Sequence, residues 1–377
     1  MKTDAAAAFY RSPSSVVSMD AARDCLERLR RDRFAARCLR PLAFVAVFAA
    51  VFYLALSIST GGVNPALPLK VLLGEASRAN EVIFYNIRLP RTATAAVVGA
   101  ALSVAGAIMQ NVLRNPLASA STLGVSQGAA FGAALAIVFF HAGFGSDGNL
   151  GAAITVTSPL IVALCAFVFG LASGAVVLAL SLLTRITPAT MILSGIAMGA
   201  MFAGGTAIIQ YFADDVKVAS IVYWTFGDVG RTGWNQIGML AAAFVAALVY
   251  FQRNAWNYNA ISNGTSTAAS LGVNVSTVLI AGMFVASLLS SLAVAFVGTI
   301  SFVGLIAPHM ARHFVGNDHR QLLFASSLIG AMLLIGAEVL SRTVLAPTVL
   351  PIGAITSFLG APVFLYMIFR NDGWRKW

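Results

Sequence analysis

The sequence predicts an all-α integral membrane protein, on the evidence of its composition and the length of its apolar runs. Hydrophobic residues make up 59% of the 377 residues and charged residues only 10%, whereas soluble domains carry about 25% charged residues. Several apolar runs reach the roughly 20 residues that a helix needs to cross the hydrocarbon core of a bilayer. Because lipid cannot hydrogen-bond to peptide groups, these runs must be helical. The alternating pattern of a membrane β-barrel is absent from the sequence.

Residues 1–40 precede the first apolar run and are predicted to form a basic arm on the cytoplasmic side. Nine of the 24 lysines and arginines lie before Pro41, and positive charge beside a first membrane helix sets its orientation and attracts anionic headgroups. We therefore attribute the net charge of +10 to topology and to contact with membrane lipid, and expect no nucleic-acid partner. Residues 20–39 fit either an interfacial amphipathic helix or a disordered arm.

Ten membrane spans are predicted after the arm, and together they define one polytopic domain over residues 41–377. The first is treated as an uncleaved helix, because a polar lead of about 40 residues is too long for a signal peptide. An even number of spans places both termini on one side, and the basic arm places that side in the cytoplasm. The predicted spans are 41–59, 92–112, 119–140, 152–183, 189–211, 235–252, 274–297, 299–315, 321–343 and 350–370.

Several predicted spans carry residues suited to close packing. Glycines recur four residues apart at 128/132, 170/174 and 195/199, a spacing that lets helix backbones approach closely in lipid. The fifth span also carries a methionine-rich face at helical spacing, which includes Met191 and Met198. Ordinary bundle packing is the first interpretation of both patterns. Helix faces that slide during transport and an adaptable lining for a bulky ligand are the alternatives.

The sequence lacks the motifs of common catalytic and nucleotide sites, so we expect no enzymatic activity and no cofactor. It contains no GxxxxGK[ST] run, which excludes a P-loop ATP site in this chain. His309 and His313 have the spacing of a metal-binding pair on a helix, but we favour a simple helix-end pair because only His319 adjoins them. Glu338 is the one acid at membrane depth. We interpret it as the partner of Arg342 in the same helix rather than as a proton or cation relay.

Three segments resemble the signature sequences of the FecCD-type permeases, the membrane subunits of ABC importers for iron chelates, haem and cobalamin. They are IRLPRTATAAVVGAALSVAGAIMQNVLRNPLASASTLGVSQGAAFG (87–132), VAFVGTISFVGLIAPHMARHFVGNDHR (294–320) and LPIGAITSFLGAPVFLYMIFR (350–370). With AASLGV (268–273) and the ten-span layout, the resemblance covers most of the chain from about residue 41. It implies the type II ABC importer permease architecture.

The resemblance also implies a set of partners. The permease would form a homodimer with its pathway on the two-fold axis, with two copies of a separate ABC ATPase on the cytoplasmic side and an extracytoplasmic substrate-binding protein opposite. Its location would be the cytoplasmic (inner) membrane of a bacterium or archaeon. In the family, outer arginines pair with glutamates of the binding protein, and the matching positions here are Arg88, Arg91 and Arg342. Exposed charges of this kind set register and association rate more than affinity.

The segment 257–273 resembles the family's cytoplasmic coupling element. It is polar, small and uncharged, which suits a short helical knob seated in a cleft of the ATPase, with Ser262 or Asn263 as its cap. The residues that we assign to ATPase coupling are Ser262, Asn263, Ala268, Ala269, Leu271 and Gly272.

The stretch from Arg114 to Gly132 is predicted to break a helix in the pathway wall. Pro116 should end the preceding helix, and Ser119, Ser121 or Thr122 should cap the next one. Closing of the inner gate is expected to involve this region. The residues that we assign to the gate and pathway are Asn115, Pro116, Gly124, Gly128, Met191 and Met198.

The expected function is therefore a permease subunit that translocates a metal chelate into the cytoplasm by ATP-driven alternating access. A ferric siderophore is the first candidate substrate, followed by haem and cobalamin. An ion-coupled secondary transporter is the alternative. It would need paired intramembrane ionisable residues and inverted repeats, and the sequence offers little beyond Glu338.

Overall fold

Helices carry almost all of the fold in the computed structural model, which describes residues 39–59, 62–140, 142, 144–145, 155–156, 158–184 and 188–370. The predicted basic arm lies outside these residues except for Leu39 and Arg40. The choice between an amphipathic helix and a disordered arm over residues 20–39 therefore falls outside the described part of the chain, apart from Leu39.

The described α-helices are numbered here in chain order. The first five are α1 (Arg40–Ser57), α2 (Leu67–Leu72), α3 (Arg78–Ile83), α4 (Leu89–Val112) and α5 (Val125–Phe139), and a π-helical turn over Phe84–Arg88 joins α3 to α4. The next five are α6 (Pro159–Thr184), α7 (Pro188–Phe212), α8 (Asp215–Thr225), α9 (Trp234–Arg253) and α10 (Ala255–Ser262). The last five are α11 (Thr265–Ser270), α12 (Val275–Val297), α13 (Val303–Val315), α14 (His319–Thr343) and α15 (Ile352–Arg370).

The described strands are two-residue pieces in two antiparallel pairs. β1 (Ile58–Ser59) pairs with β2 (Gly62–Val63), and β3 (Phe144–Gly145) pairs with β4 (Thr155–Val156). Neither pair is large enough to form a layer, so the predicted all-α class is confirmed.

Each of the ten predicted spans contains one long or medium helix. Seven helical segments of the described chain are long and apolar enough to cross a membrane, and α5 and α15 are shorter apolar helices. The predicted third span starts too early, because residues 113–124 form turns and α5 begins at Val125. The predicted eighth span contains only the 13 residues of α13.

The chain divides into two compact units, Met1–Phe44 and Val45–Trp377. Of the first unit, the structure describes only Leu39 and the start of α1. Within the second unit, α4 is the central helix, buried along almost its whole length. It packs against α9, α12, α13 and α14, so α4 contacts helices along its whole length.

Candidate functional site

Helices α4 and α14 are antiparallel and touch through their backbones near the middle of the bundle. A Cβ atom on Gly99 would lie 2.8 Å from the carbonyl carbon of Gly330, so only glycine permits this approach. One turn further along α4, the Ser103 hydroxyl donates to the Ser326 carbonyl oxygen at 2.6 Å. The two helices therefore form a tightly packed pair that runs from one end of the bundle to the other.

One end of this pair, which we call the arginine end, holds a buried group of charges. Glu338 is fully buried, and its Oε1 atom lies 3.2 Å from Nε of Arg342 and 3.6 Å from Nε of Arg91. Arg91 also lies 3.3 Å from Oδ1 of Asp228, through Nη2. The predicted pairing of Glu338 with Arg342 is confirmed, and Arg91 joins the same cluster.

Two of the arginines also bind the last turn of α1 and the strand that follows it. Arg342 donates to the carbonyl oxygens of Ala55 at 2.5 Å and Ile58 at 2.9 Å, and Arg88 donates to the carbonyl oxygen of Leu56 at 3.5 Å. Carbonyls at a helix C-terminus lack partners within the helix and carry partial negative charge. The guanidinium groups supply both the hydrogen bonds and the opposite charge.

The structure brings all three predicted docking arginines together but does not expose them equally. Arg342 is only 8% exposed, and its nitrogen atoms already face Glu338 and α1. Arg88 and Arg91 are half-buried. Arg342 is thus placed as a residue that holds the arginine end together, and Arg88 and Arg91 are more exposed than Arg342.

The opposite end of the α4–α14 pair, which we call the coupling end, contacts helix α10. Asn259 of α10 donates through Nδ2 to Asp318 at 2.8 Å, and its Oδ1 atom lies 2.8 Å from both the backbone nitrogen and Nδ1 of His319. Since an amide oxygen can only accept, Nδ1 of His319 carries the proton. Asn259 therefore clamps α10 to the first turn of α14.

Two further bonds tie the same element to the last turn of α4 and the residues after it. Asn111 donates to the carbonyl oxygen of Tyr258 at 3.5 Å, and Arg114 donates to that of Ile261 at 3.3 Å. The Tyr258 ring is fully buried and its hydroxyl fits against Gly282 of α12. Burial raises the pKa of Tyr258, so the phenol stays neutral.

The predicted coupling element forms two short helices, α10 and α11, rather than one capped knob. Ser262 and Asn263 end α10, where both side chains donate to the Asn259 carbonyl oxygen, and the residue before α11 is Gly264 with φ of 125°. Neither Ser262 nor Asn263 is the N-cap of α11, so that predicted role is wrong, and Asn263 is instead the C-cap of α10. Ala268 is fully buried in the subunit's own core, whereas Ala269, Leu271 and Gly272 are exposed.

The predicted gate stretch is a series of turns between α4 and α5. Helix α4 ends at Val112, before Pro116, and Asn115 accepts the backbone N–H of Leu117 at 2.8 Å. The hydroxyl of Thr122 bonds the backbone of Ser119 and not the start of α5. Predicted capping by Ser119, Ser121 or Thr122 is thus wrong, since the residue before α5 is Gly124.

The small and sulfur-containing residues assigned to the pathway lie inside the subunit. Gly124 and Gly128 are buried against α6 and α7. Met191 is buried in the core, and Met198 is half-buried and packs against that core. Within one subunit these residues pack against neighbouring helices, which agrees with the bundle-packing interpretation. Their assignment to the pathway stays a prediction.

Two cavities of the described structure lie away from these glycines and methionines. A polar cavity of about 650 Å³ opens at the coupling end, where its walls include Gln110, Arg114, Arg312 and His319. An apolar cavity of about 360 Å³ lies among α13, α14 and α15, with Met310 and Met332 in its wall. Met191 and Met198 line neither cavity.

Sequence reasoning missed Asp228 and Asn259, although each had a recognisable signal. Asp228 lies in the run FGDVGRTG, where glycines on both sides mark a turn between helices and allow a carboxylate to reach Arg91. Asn259 lies in an uncharged polar segment, and its role depends on an aspartate 59 positions later. The first residue could be flagged from its neighbours, but the second required the fold.

A comparison with protein families identifies the family to which this helix arrangement belongs. Residues 47–370 match the model of the FecCD transport family, which covers the whole α4–α14 pair, both of its ends and every helix after α1. This chain belongs to the FecCD transport family. The family consists of transport permeases and not of enzymes, and the fold is that of the type II ABC importer permeases.

Individual relatives agree with this placement. A Methanocaldococcus jannaschii protein with a provisional ABC transporter permease name is 48% identical over 302 residues, which cover 80% of this chain and 86% of that protein. The hemin transport system permease protein HmuU of Yersinia pestis is 35% identical over 294 residues, which cover 78% of this chain and 85% of HmuU. A solved inward-facing transporter, provisionally described as metal-chelate type, is 26% identical with a TM-score of 0.76. The match covers 88% of this chain and 99% of that chain.

Proposed function

We propose that this chain is the permease subunit of a binding-protein-dependent ABC importer that carries a metal chelate into the cytoplasm. The observation that supports this most is the α4–α14 pair, which has charged residues for one partner at the arginine end and the coupling element for another at the opposite end. A helix pair of this kind can transmit a push at one end to the other without any chemistry in the chain.

The partners follow from the family. Two copies of this chain would enclose the pathway, two copies of an ABC ATPase would bind the coupling ends, and an extracytoplasmic binding protein would dock at the arginine ends. Membrane lipid surrounds the assembly, whose N- and C-termini would both face the cytoplasm. ATP-driven closure of the ATPase would favour one of two arrangements of the dimer, and the loaded binding protein would favour the other.

The residue assignments are refined by burial. Arg88 and Arg91 are the proposed contacts for the binding protein. Arg342 holds Arg91 in place through Glu338, which faces both arginines. The exposed residues Ala269, Leu271 and Gly272 are the proposed ATPase contacts, and Ser262, Asn263 and Ala268 shape the element that carries them. Asn115 and Pro116, at the surface between α4 and α5, remain the proposed gate residues.

The proposed substrate is a ferric siderophore, with haem and cobalamin as alternatives within the same class. The relative HmuU is named for hemin, and the solved relative is described as metal-chelate type, which supports a chelated metal in preference to a bare ion. The binding protein would supply most of the selectivity.

Reconstitution tests the function directly. The chain is placed in proteoliposomes with its cognate ATPase, binding protein and a radiolabelled ferric siderophore. Uptake should require ATP and be blocked by vanadate, and a proton or sodium gradient alone should drive none. Uptake that follows such a gradient and ignores vanadate would contradict the proposal and favour a secondary transporter.

A further inference from the structure

We propose that the polar cavity at the coupling end is a receptor for an acidic side chain of the ATPase subunit, and that Arg114 is its principal contact. This inference rests on the proposed function and adds the chemistry of the partner's contact. The proposed contact surface is the cavity wall, which lies beside the exposed residues of α11 but does not include them.

Arg114 is placed for such a contact by its backbone and by one hydrogen bond. Its φ angle of 44° lies in a region that residues other than glycine adopt only where the surrounding structure holds them. The bond from Nη2 to the Ile261 carbonyl oxygen at 3.3 Å uses one of its five N–H donors. The rest of this exposed guanidinium faces the cavity and its mouth.

Within the described part of the chain, no carboxylate forms an ion pair with Arg114. The Oδ1 atom of Asp318, a carboxylate in the cavity wall, accepts from Asn259 Nδ2 and from the backbone nitrogen of Arg320 at the start of α14. A second cation, Arg312, also lies in the wall, where it donates to Gln110 at 2.5 Å.

The position of the cavity identifies the partner. The wall includes Ser262, the last residue of α10, and the link residues Asn263 and Gly264. An ATPase that contacts α11 would therefore cover the mouth of the cavity. A volume of about 650 Å³ accommodates an aspartate or glutamate side chain together with water. Complementary charge at such a position fixes the register of the two proteins and speeds their association. An ATPase dimer that must engage two coupling elements requires both.

Binding measurements with charge variants test the inference. The full-length permease is placed in nanodiscs of phosphatidylcholine, and the purified ATPase is titrated against it at low and high salt. We expect Arg114→Glu to raise the Kd about tenfold and Arg114→Gln to raise it less, and we expect the wild-type Kd to rise with salt. The matched control is Arg320→Glu, since Arg320 is exposed nearby but does not line the cavity.

A charge exchange provides the second arm. Acidic residues on the ATPase surface are changed to lysine one at a time, and one of them should restore binding to Arg114→Glu while weakening binding to wild type. Equal Kd values for wild type, Arg114→Gln and Arg114→Glu would overturn the inference, as would equal losses in Arg114→Glu and Arg320→Glu. Binding that depends on Arg114 only when phosphatidylglycerol is present would assign the site to a lipid headgroup instead.

The two proposals fail in different ways. If wild type imports substrate with ATP and Arg114 variants bind the ATPase normally, only the acidic contact is wrong. If wild type binds no ABC ATPase under any condition, the proposed function and the acidic contact both fall.

Discussion

The Nε atom of Arg342 lies 3.2 Å from Oε1 of Glu338, one helical turn earlier in α14, and both side chains are buried. Removing one partner of a buried ion pair leaves the other charge without solvation, at a cost of about 3–5 kcal/mol. We therefore expect Glu338→Gln to lower the Tm of the detergent-purified protein by several degrees, because it removes the carboxylate partner of Arg342 and one of the two carboxylates that face Arg91.

The matched control for this change is Glu75→Gln, which removes an exposed carboxylate and should leave the Tm unchanged. Thermal unfolding followed by intrinsic fluorescence measures both variants. A Glu338→Gln protein as stable as wild type would show that the arginine end does not depend on the pair.

Docking of the binding protein is expected to depend on Arg88 more directly than on Arg342. Arg88→Glu reverses a half-buried charge whose one hydrogen bond in the described structure is the long bond to Leu56. We expect capture of the loaded binding protein to weaken about tenfold, mainly through slower association, with the ATPase activity in detergent unchanged. Surface plasmon resonance on the intact complex measures the association.

Arg78→Glu is the control for that experiment, because Arg78 is an exposed arginine at the start of α3. A loss of the same size in both variants would indicate general electrostatic attraction. Unchanged capture by Arg88→Glu would remove Arg88 from the docking surface.

Two adjacent alanines of α11 should give different phenotypes when changed to tryptophan. Ala269 is exposed, so Ala269→Trp should fold normally and obstruct the ATPase contact, which would lower ATP-dependent uptake severely. Ala268 is fully buried, so Ala268→Trp should overpack the core and lower the Tm, with a cost of about 1–3 kcal/mol or more. Uptake assays and Tm measurements on both variants separate the two effects. Normal uptake by Ala269→Trp would contradict the coupling assignment.

That difference shows what the sequence could predict and what it could not. Hydropathy located the ten described helices of 13 or more residues, because membrane spans are set by length and apolarity, but it did not locate the 11-residue helix α8. It could not separate Ala268 from Ala269, since burial within a short helix depends on which neighbours the fold supplies. The pairing of Glu338 with Arg342 was accessible because it is local, whereas the contact of Asn259 with Asp318 joins distant parts of the chain.

The turn before α5 is expected to require glycine at position 124. Gly124 has φ of 74°, and a Cβ atom there would lie 2.7 Å from the Ser173 hydroxyl oxygen and 2.9 Å from the Gly199 nitrogen. Gly124→Ala should therefore lower the Tm, at a cost of about 1–3 kcal/mol for the backbone alone. Gly238→Ala is the control, because beyond the local backbone of its own helix no atom lies within 4 Å of the added Cβ. It should leave the Tm unchanged or raise it slightly. Equal Tm values for the two variants would contradict the packing argument.

Asn259 is expected to act as a positioning residue between the coupling element and the α4–α14 pair. Its side chain makes three contacts to Asp318 and His319, so Asn259→Ala would release α10 from α14 while leaving the exposed surface of α11 in place. We therefore expect the ATPase to bind and to hydrolyse ATP, with more ATP consumed for each substrate molecule imported. Simultaneous phosphate-release and uptake assays in proteoliposomes measure this ratio.

The control for Asn259 is Asn257→Ala, because Asn257 lies on the same helix and its amide bonds only Asn254 among the described contacts. Its ratio of ATP to substrate should match that of wild type. A merely structural role for Asn259 would lower ATPase binding and uptake together without changing the ratio. A raised ratio in Asn259→Ala alone would show that force from the ATPase enters the α4–α14 pair through this side chain.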